Sequence, residues 1–396
     1  MALDALWIAL GSLLLVATIY DLFQSVLTPR PAVGRIRFST DFVRVAWLGW
    51  RNVARRRKQL QAREAALAVF APFMVVVLLV TWGFLFILGF ALLYSGLHDG
   101  LRPQPGSFGA TLYFSAGRLL AFGVGSTQST SAVTEILSVF QAAAGFGLFA
   151  LVVTLLFSLF GAFQRRETAV VALDALAGAP PTGVQLLEVC AKFHMPEQLA
   201  TTFSTWQAWT AEVLESHLAY PILFFFRSSH DNEAWSNSFG AVMDAATLVL
   251  STIEGGPQGP ARLMFKIGDH FVEDVRSNLG IDPHPAASVE RFEFDEAAAR
   301  LERAGYALRD LDKAWEEFHR LRAGYGGWLN LVSRALEVPP APWIGDRSYL
   351  PHRDGRSGGG IRARMSRIRP GTPAPAAPSN GSASAASEPE REAARR

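Results

Sequence analysis

LAVFAPFMVVVLLVTWGFLFILGFALLY (residues 67–94), FGATLYFSAGRLLAFGVG (residues 108–125) and ILSVFQAAAGFGLFALVVTLLFSLFGAF (residues 136–163) follow one another in the first half of the chain. The first and third carry no charge, and each exceeds the roughly 20 apolar residues an α-helix needs to cross a bilayer. The middle stretch is too short: its helical part, residues 108–120, is about half that length. It reads as a segment that enters the membrane and returns. Lipid tolerates non-helical backbone only where protein or a water-filled cavity surrounds it. A Gly123-Val124-Gly125 turn at that depth therefore predicts a polar pathway.

Working outward, residues 5–20 and 22–27 form a further apolar stretch, read as a span that precedes these two. A signal peptide is the competing reading, but Asp4 and Val26-Leu27-Thr28 supply neither a positive start nor a small-residue cleavage site. Asp21 is placed at the inner interface near Arg30; an intramembrane functional carboxylate is the alternative. Half the residues are hydrophobic and only 18% are charged, with the apolar content concentrated before Arg165, as in a membrane protein carrying a soluble portion. Residues 28–64 hold ten Arg and Lys, from Arg30 to Arg63, against Asp41 and Glu64 alone. Cytoplasmic loops near spans accumulate such cations, so this loop is expected inside. Residues 95–134 have only Arg102 and Arg118 and are expected outside, while Arg165 and Arg166 close the last span inside. The expected topology is an N-terminus outside, three crossings and a cytoplasmic C-terminus, in the plasma membrane.

The expected fold class is an all-α membrane protein with three transmembrane helices, a re-entrant pore helix and a helical cytoplasmic domain. Residues 1–29 form the first transmembrane helix, 30–64 the basic cytoplasmic loop, 65–163 the pore domain, 164–345 the helical domain and 346–396 a disordered tail. Pro103 and Pro105 end a loop, Ser107 is a helix N-cap, and residues 110–120 carry apolar side chains at helical spacing. The carbonyl end of such a helix favours a cation. Gly123 and Gly125 give the backbone the freedom to line up successive carbonyls. One chain supplies one such strand, so a closed ring needs several copies, and a cyclic homotetramer is the natural symmetry.

Residues 65–167, with span, pore helix, Gly-x-Gly turn and inner helix in order, resemble the pore domain of the potassium-channel superfamily, as in bacterial channel-like proteins with one pore per chain. The resemblance implies that the family filter Thr-Val-Gly-Tyr-Gly-Asp falls on Ala121, Phe122, Gly123, Val124, Gly125 and Ser126, whose backbone carbonyls would replace the water of a transported monovalent cation such as potassium. Only the two glycines match. Ala121 lacks the family's innermost hydroxyl, Val124 lacks the bracing tyrosine hydroxyl, and Ser126 leaves the mouth without an anion. Arg118, three residues before the filter, either repels a cation or packs behind the filter and pairs with a carboxylate such as Glu135. In the inner helix, Ala142, Ala143, Ala144, Gly145 and Gly147 form a small-residue patch, which suits close packing; Gly145 and Gly147 are candidates for a gating bend or for packing alone. Gly324-Tyr325-Gly326 spells the family filter better. It follows a charged segment with no span beside it and is read as a turn between soluble helices.

After residue 163 the pattern is that of a helical domain, with helices at 184–194, 198–218, 235–253, 260–279, 295–308 and 309–338, and with Asp231 and Asp295 as starts. Residues 220–226 are intensely apolar but too short to span, and are read as a buried segment, with membrane-surface contact as the minor alternative. A Rossmann-type regulator is not expected, since no Gly-x-Gly-x-x-Gly follows a strand and strands do not alternate with helices. Cys190 rules out an intrachain disulfide; it and His194, four residues on, are read as part of a packed helix, and no metal or other cofactor is assigned. His217, His230 and Asp231 are read as packed or solvated, and no nucleophile, base and oxyanion set is recognisable, so no enzyme is expected. Neither of the first two spans has the regular arginines of a voltage sensor. Partners expected are further copies of the chain and membrane lipid, with no nucleic acid. The leading function is a homotetrameric cation channel; the alternative is a non-conducting scaffold or regulatory subunit that keeps the architecture for assembly.

Overall fold

The computed structural model of the chain describes residues 1–27, 38–121, 125–228, 234–279, 289–338 and 343. Helix α1 (Ala2–Leu22) continues into a π turn (Phe23–Leu27) and is followed by α2 (Phe38–Arg55), α3 (Leu60–Gly96), α4 (Phe108–Leu119) and α5 (Ala132–Ala177). The C-terminal helices are α6 (Gly183–Lys192), α7 (Pro196–Ala219), a 3-10 turn (Pro221–Phe225), α8 (Trp235–Ser251), α9 (Gln258–Leu279), α10 (Arg291–Arg303), α11 (Leu311–Ala323) and α12 (Gly326–Ala335). Strands β1 (Leu101–Arg102) and β2 (Gln128–Ser129) pair antiparallel, with Leu101 opposite Ser129.

The chain is an all-α membrane protein. Helices α1, α3 and α5 each contain a stretch long and apolar enough to cross a bilayer. Helix α1 lies against α3 through small residues: a Cβ on Gly11 would sit 2.7 Å from the Gly89 carbonyl oxygen, and glycine is what lets two backbones come this close. Leu13, Val16, Val76, Val80 and Phe84 point outward from the pair and are exposed, an arrangement that only an apolar surround leaves without a hydrophobic penalty. Asp21 is satisfied between three elements. It accepts from Trp82 Nε1 at 2.9 Å, from the Ser39 amide at 3.1 Å and from the Ser39 hydroxyl. Arg30, its expected neighbour, lies outside the described residues.

Residues 38–55 are helical, where the sequence reading had only a basic loop. The arginines hid an amphipathic period: Val43, Trp47 and Ala54 are buried, while Phe38, Phe42, Val45 and Leu48 are exposed on other faces. The composition change at residue 164 also does not end an element. Helix α5 runs 46 residues without a break, a rod of about 69 Å at the rise of an α-helix. Its last turns place Val170, Leu173 and Ala177 in the core of the C-terminal helices.

That core is built around α8, in which every residue except Leu250 is buried, polar Asp244 and Thr247 included. Helices α6, α7, α8 and α9 match the expected segments to within a few residues. Helix α10 starts at Arg291 rather than Asp295, because Glu290 and Glu293 form a capping box one turn earlier. The expected helix at 309–338 is broken into α11 and α12 at Gly324-Tyr325. Tyr325 is fully buried there and donates to Asp244 Oδ1 at 2.6 Å, with Thr247 Oγ1 at 3.0 Å and Arg322 Nε on the same carboxylate at 2.9 Å. Burial and then the Asp244 charge push the Tyr325 hydroxyl well above its ordinary pKa. The filter-like Gly324-Tyr325-Gly326 is thus an interhelical turn anchored by its tyrosine. Asp231, His230 and residues 346–396 lie outside the described residues.

Candidate functional site

The segment between α3 and α5 leaves and returns at one place. Strand β1 precedes α4 and β2 follows the Gly-x-Gly turn, so their pairing closes residues 103–127 into a single excursion. The Thr130 amide and Thr134 Oγ1 both donate to the Gly100 carbonyl, at 2.8 and 2.9 Å, and so fix the start of α5 to the end of α3. The Ser131 side chain caps α5 with Thr134 in a reciprocal box.

Within the excursion, Ser107 caps α4 as its sequence position suggests, accepting from the Ala110 amide at 3.3 Å. The helix then packs between α3 and α5, and polar pairs record how far it reaches. Ser115 donates to the Ile87 carbonyl of α3 at 2.7 Å, and Gln141 of α5 donates to the Ser115 carbonyl at 2.9 Å and to its hydroxyl at 2.8 Å. Both partners stand about 14 Å along their helices from the β-ladder ends, at the helical rise per residue. Deeper still, Gly145 of α5 touches the Leu119 carbonyl at the end of α4, where a Cβ would overlap that oxygen. This contact is about 20 Å along α5 from Ala132. Gly147 has nothing within 4 Å of its Cβ position. Of the two expected hinge candidates, one is a close-packing site and the other faces open space.

A second polar tie joins Tyr94 of α3 to Ser138 of α5 at 3.1 Å and Ser138 to Ser129 of β2 at 2.8 Å. Tyr94 is fully buried and its ring meets Phe114 of α4 edge-on at 5.0 Å. These brace residues were not picked out from sequence. Their signal was present, however: Ser115, Ser138 and Gln141 are polar residues inside apolar runs, where a side chain needs a partner.

The described ends of the Gly-x-Gly turn are Ala121, Gly125 and Ser126; Phe122, Gly123 and Val124 lie outside the described residues. Ala121 takes φ = 56° and Gly125 φ = 107°, so alanine occupies a left-handed position that glycine holds more easily. Ser126 is exposed. An open cleft of about 470 Å³ is lined by Arg118, Gly125, Thr127, Gln128, Glu135 and Ser138, among others. The Arg118 guanidinium stacks over the Phe114 ring at 5.0 Å. It shares the cleft with Glu135 but forms no ion pair with it among the described residues. No group of three or more metal-ligating side chains is found among the described residues. Cys190 is buried in the α6 core, where burial raises its thiol pKa, whereas His194 lies beyond the end of α6 and is exposed.

The far end of α5 is tied to the C-terminal helices through Arg166, which is 2% exposed. Its guanidinium donates to Glu167 Oε1 at 2.9 Å, to the Leu223 carbonyl at 2.9 Å and to the Phe226 carbonyl at 2.8 Å. It also faces His217 Nε2 at 3.1 Å. Arginine only donates, so His217 accepts there and carries its proton on Nδ1, which reaches the Val213 carbonyl at 2.8 Å. Burial and then the Arg166 charge hold the His217 pKa well below its ordinary value. Arg166 thereby pins the apolar 220–226 stretch, whose Phe225 packs on Trp47 and Phe70 and whose Phe226 packs on Phe163. That stretch is the buried segment expected from sequence, wedged between the spans and the C-terminal helices. Beside it, Glu337 binds Arg55 and Arg63, and Arg227 binds Glu64 together with the Leu336 and Glu337 carbonyls at 2.8 and 2.7 Å.

Neither a protein-family profile nor a solved structure matches the chain. It is similar to the uncharacterized membrane protein YdjJ of Bacillus subtilis (strain 168), with 25% identity over 248 residues, covering 62% of this chain and 69% of that protein.

Proposed function

We propose that the chain is a pore-loop subunit whose α4 is a re-entrant pore helix and whose Ala121 to Gly125 backbone, in a cyclic homotetramer, conducts monovalent cations of the potassium kind. The observation that carries this reading is the closed excursion at 103–127. It starts and ends at one ladder, yet α4 reaches the Gly145 contact about 20 Å down α5, at the helical rise per residue. A helix of 12 residues spans only about 18 Å, too little to cross the roughly 30 Å hydrocarbon core. Its carbonyl end, partially negative, terminates where the Gly-x-Gly turn begins. The serine, glutamine and tyrosine ties to α3 and α5 hold that end in place, which a filter built from backbone carbonyls requires.

The arginine-rich segment before α3 supports an inside location for that segment and for α6 to α12, with the N-terminus outside and the plasma membrane as host. In this reading α6 to α12 form a cytoplasmic domain that assembles or gates the pore through Arg166. Purified chain in liposomes under a potassium gradient tests it: flux that disappears in Gly123→Ala is expected. Verified tetramers that pass no ion would refute conduction. Arg118 gives the second reading its footing. A cation in the cleft beside Gly125, with no family carboxylate at Ser126, suits a scaffold or regulatory subunit that uses the same architecture to oligomerise.

A further inference from the structure

A half-enclosed cavity of about 120 Å³ lies where the end of α1 and the middle turns of α3 and α5 meet the 3-10 turn and α2. Its walls are almost wholly apolar, with Leu78 of α3, Leu155 of α5, Ile222 of the turn and Val43 of α2 facing inward. Two polar groups stand out. The Ser25 hydroxyl is buried with no hydrogen-bond partner among the described residues, and Arg44, whose guanidinium lies 3.9 Å from the Asp41 carboxylate, lines the rim with its side chain 46% exposed. Leu155 and Leu159 lie about 15 and 9 Å along α5 from Arg165, taking the helical rise per residue. The cavity therefore sits at the depth of upper acyl chain, with its arginine toward the headgroup level. Exposed Phe38, Phe42, Val45 and Leu48 continue this surface along α2, beside Arg44, Arg51 and Arg55. Apolar residues flanked by arginines are the pattern of a helix lying in a lipid interface.

We infer that this cavity is a binding site for one anionic glycerophospholipid of the adjoining leaflet, with an acyl chain between the spans and the 3-10 turn, its phosphate on Arg44 and an ester carbonyl accepting from Ser25. The charge complementarity at the rim selects the headgroup and the dry interior selects the chain. The Trp82 indole, its N–H already donated to Asp21, forms one wall. The site goes beyond the pore reading and needs no conduction, so a non-conducting chain would still carry it.

The test uses the full chain in detergent, exchanged free of lipid and titrated with phosphatidylglycerol or phosphatidylcholine while native mass spectrometry counts bound lipid. One phosphatidylglycerol retained per chain is expected. Arg44→Gln should weaken phosphatidylglycerol about fivefold, the equivalent of one arginine at a headgroup, and phosphatidylcholine, whose choline offsets the phosphate charge, by less; Leu155→Trp should weaken both. A second readout holds if the tryptophan variant fails to fold: phosphatidylglycerol brominated along its acyl chain should quench wild-type fluorescence more than that of Trp82→Phe. Equal retention of the two lipids, folded variants with wild-type occupancy, or quenching identical with and without Trp82 would each overturn the site.

Discussion

Gly145 and Gly147 stand two residues apart on α5 and make opposite predictions. Replacing either by alanine adds the same helix-propensity gain, about 1 kcal/mol in an α-helix interior. Only at position 145 does the new methyl meet something, namely the Leu119 carbonyl at the end of α4; at 147 the space is open. Forcing a methyl into a close-packed contact costs roughly 1–3 kcal/mol, so the two variants should differ by about that amount. At about 2–4 °C per kcal/mol for domains of 150–250 residues, Gly145→Ala should melt roughly 2–12 °C below Gly147→Ala. Thermal unfolding of the detergent-solubilised chain by tryptophan fluorescence measures the difference. Liposome flux should fall in the first variant, because the displaced element is the one that leads into the Gly-x-Gly turn, and should persist in the second. Equal melting points with flux altered by Gly147→Ala would refute packing as the role of Gly145 and place a bend at 147.

Arg166→Met removes four hydrogen bonds and leaves the Leu223 and Phe226 carbonyls, the Glu167 carboxylate and His217 Nε2 without their donor. A broken buried pair costs about 3–5 kcal/mol, read as a melting-point loss, and Arg166→Lys should not restore it because one ammonium cannot reach all four acceptors. His217 is held neutral with a lowered pKa; its contribution should be intact above about pH 6.5 and decline below that by at most about 1.4 kcal/mol per pH unit, a slope that His217→Gln should lack in melting curves against pH. Burial raises the Glu337 carboxyl, but the Arg55 hydrogen bond and the Arg55 and Arg63 charges outweigh it and leave it lowered. Its stabilisation should be present above about pH 4.3 and vanish as the pH falls through the lower native value, so wild type and Glu337→Gln should converge in acid and diverge at neutral pH.

The three long apolar helices and the short one between them were legible because length and apolarity alone decide them. Ser107 was legible as a cap because its chemistry is local. Helix α2 was not, since its arginines occupy the same segment as its apolar face and charge was the stronger signal. Gln141 and Ser115 carried a signal as polar residues inside apolar runs, but their pairing was not legible, because a hydrogen bond between residues 26 apart in the chain follows from how helices dock. The role of Arg166 was hidden in a charge pair that reads as a span terminator; burial among aromatic rings, with its guanidinium over Phe163 at 5.3 Å and Trp235 at 5.7 Å, is a tertiary fact.

The unbroken α5 joins the Gly145 contact to the C-terminal helices with no joint at the composition boundary. Arg166 lies about 32 Å and Ala177 about 48 Å along the rod from Gly145 at the helical rise per residue. Tilting such a rod by about 5° about Gly145 would displace its Ala177 tip by roughly 4 Å. Arg166 and the 3-10 turn bound to it would travel with the rod, so the seat of the short helix and the C-terminal core share one rigid element.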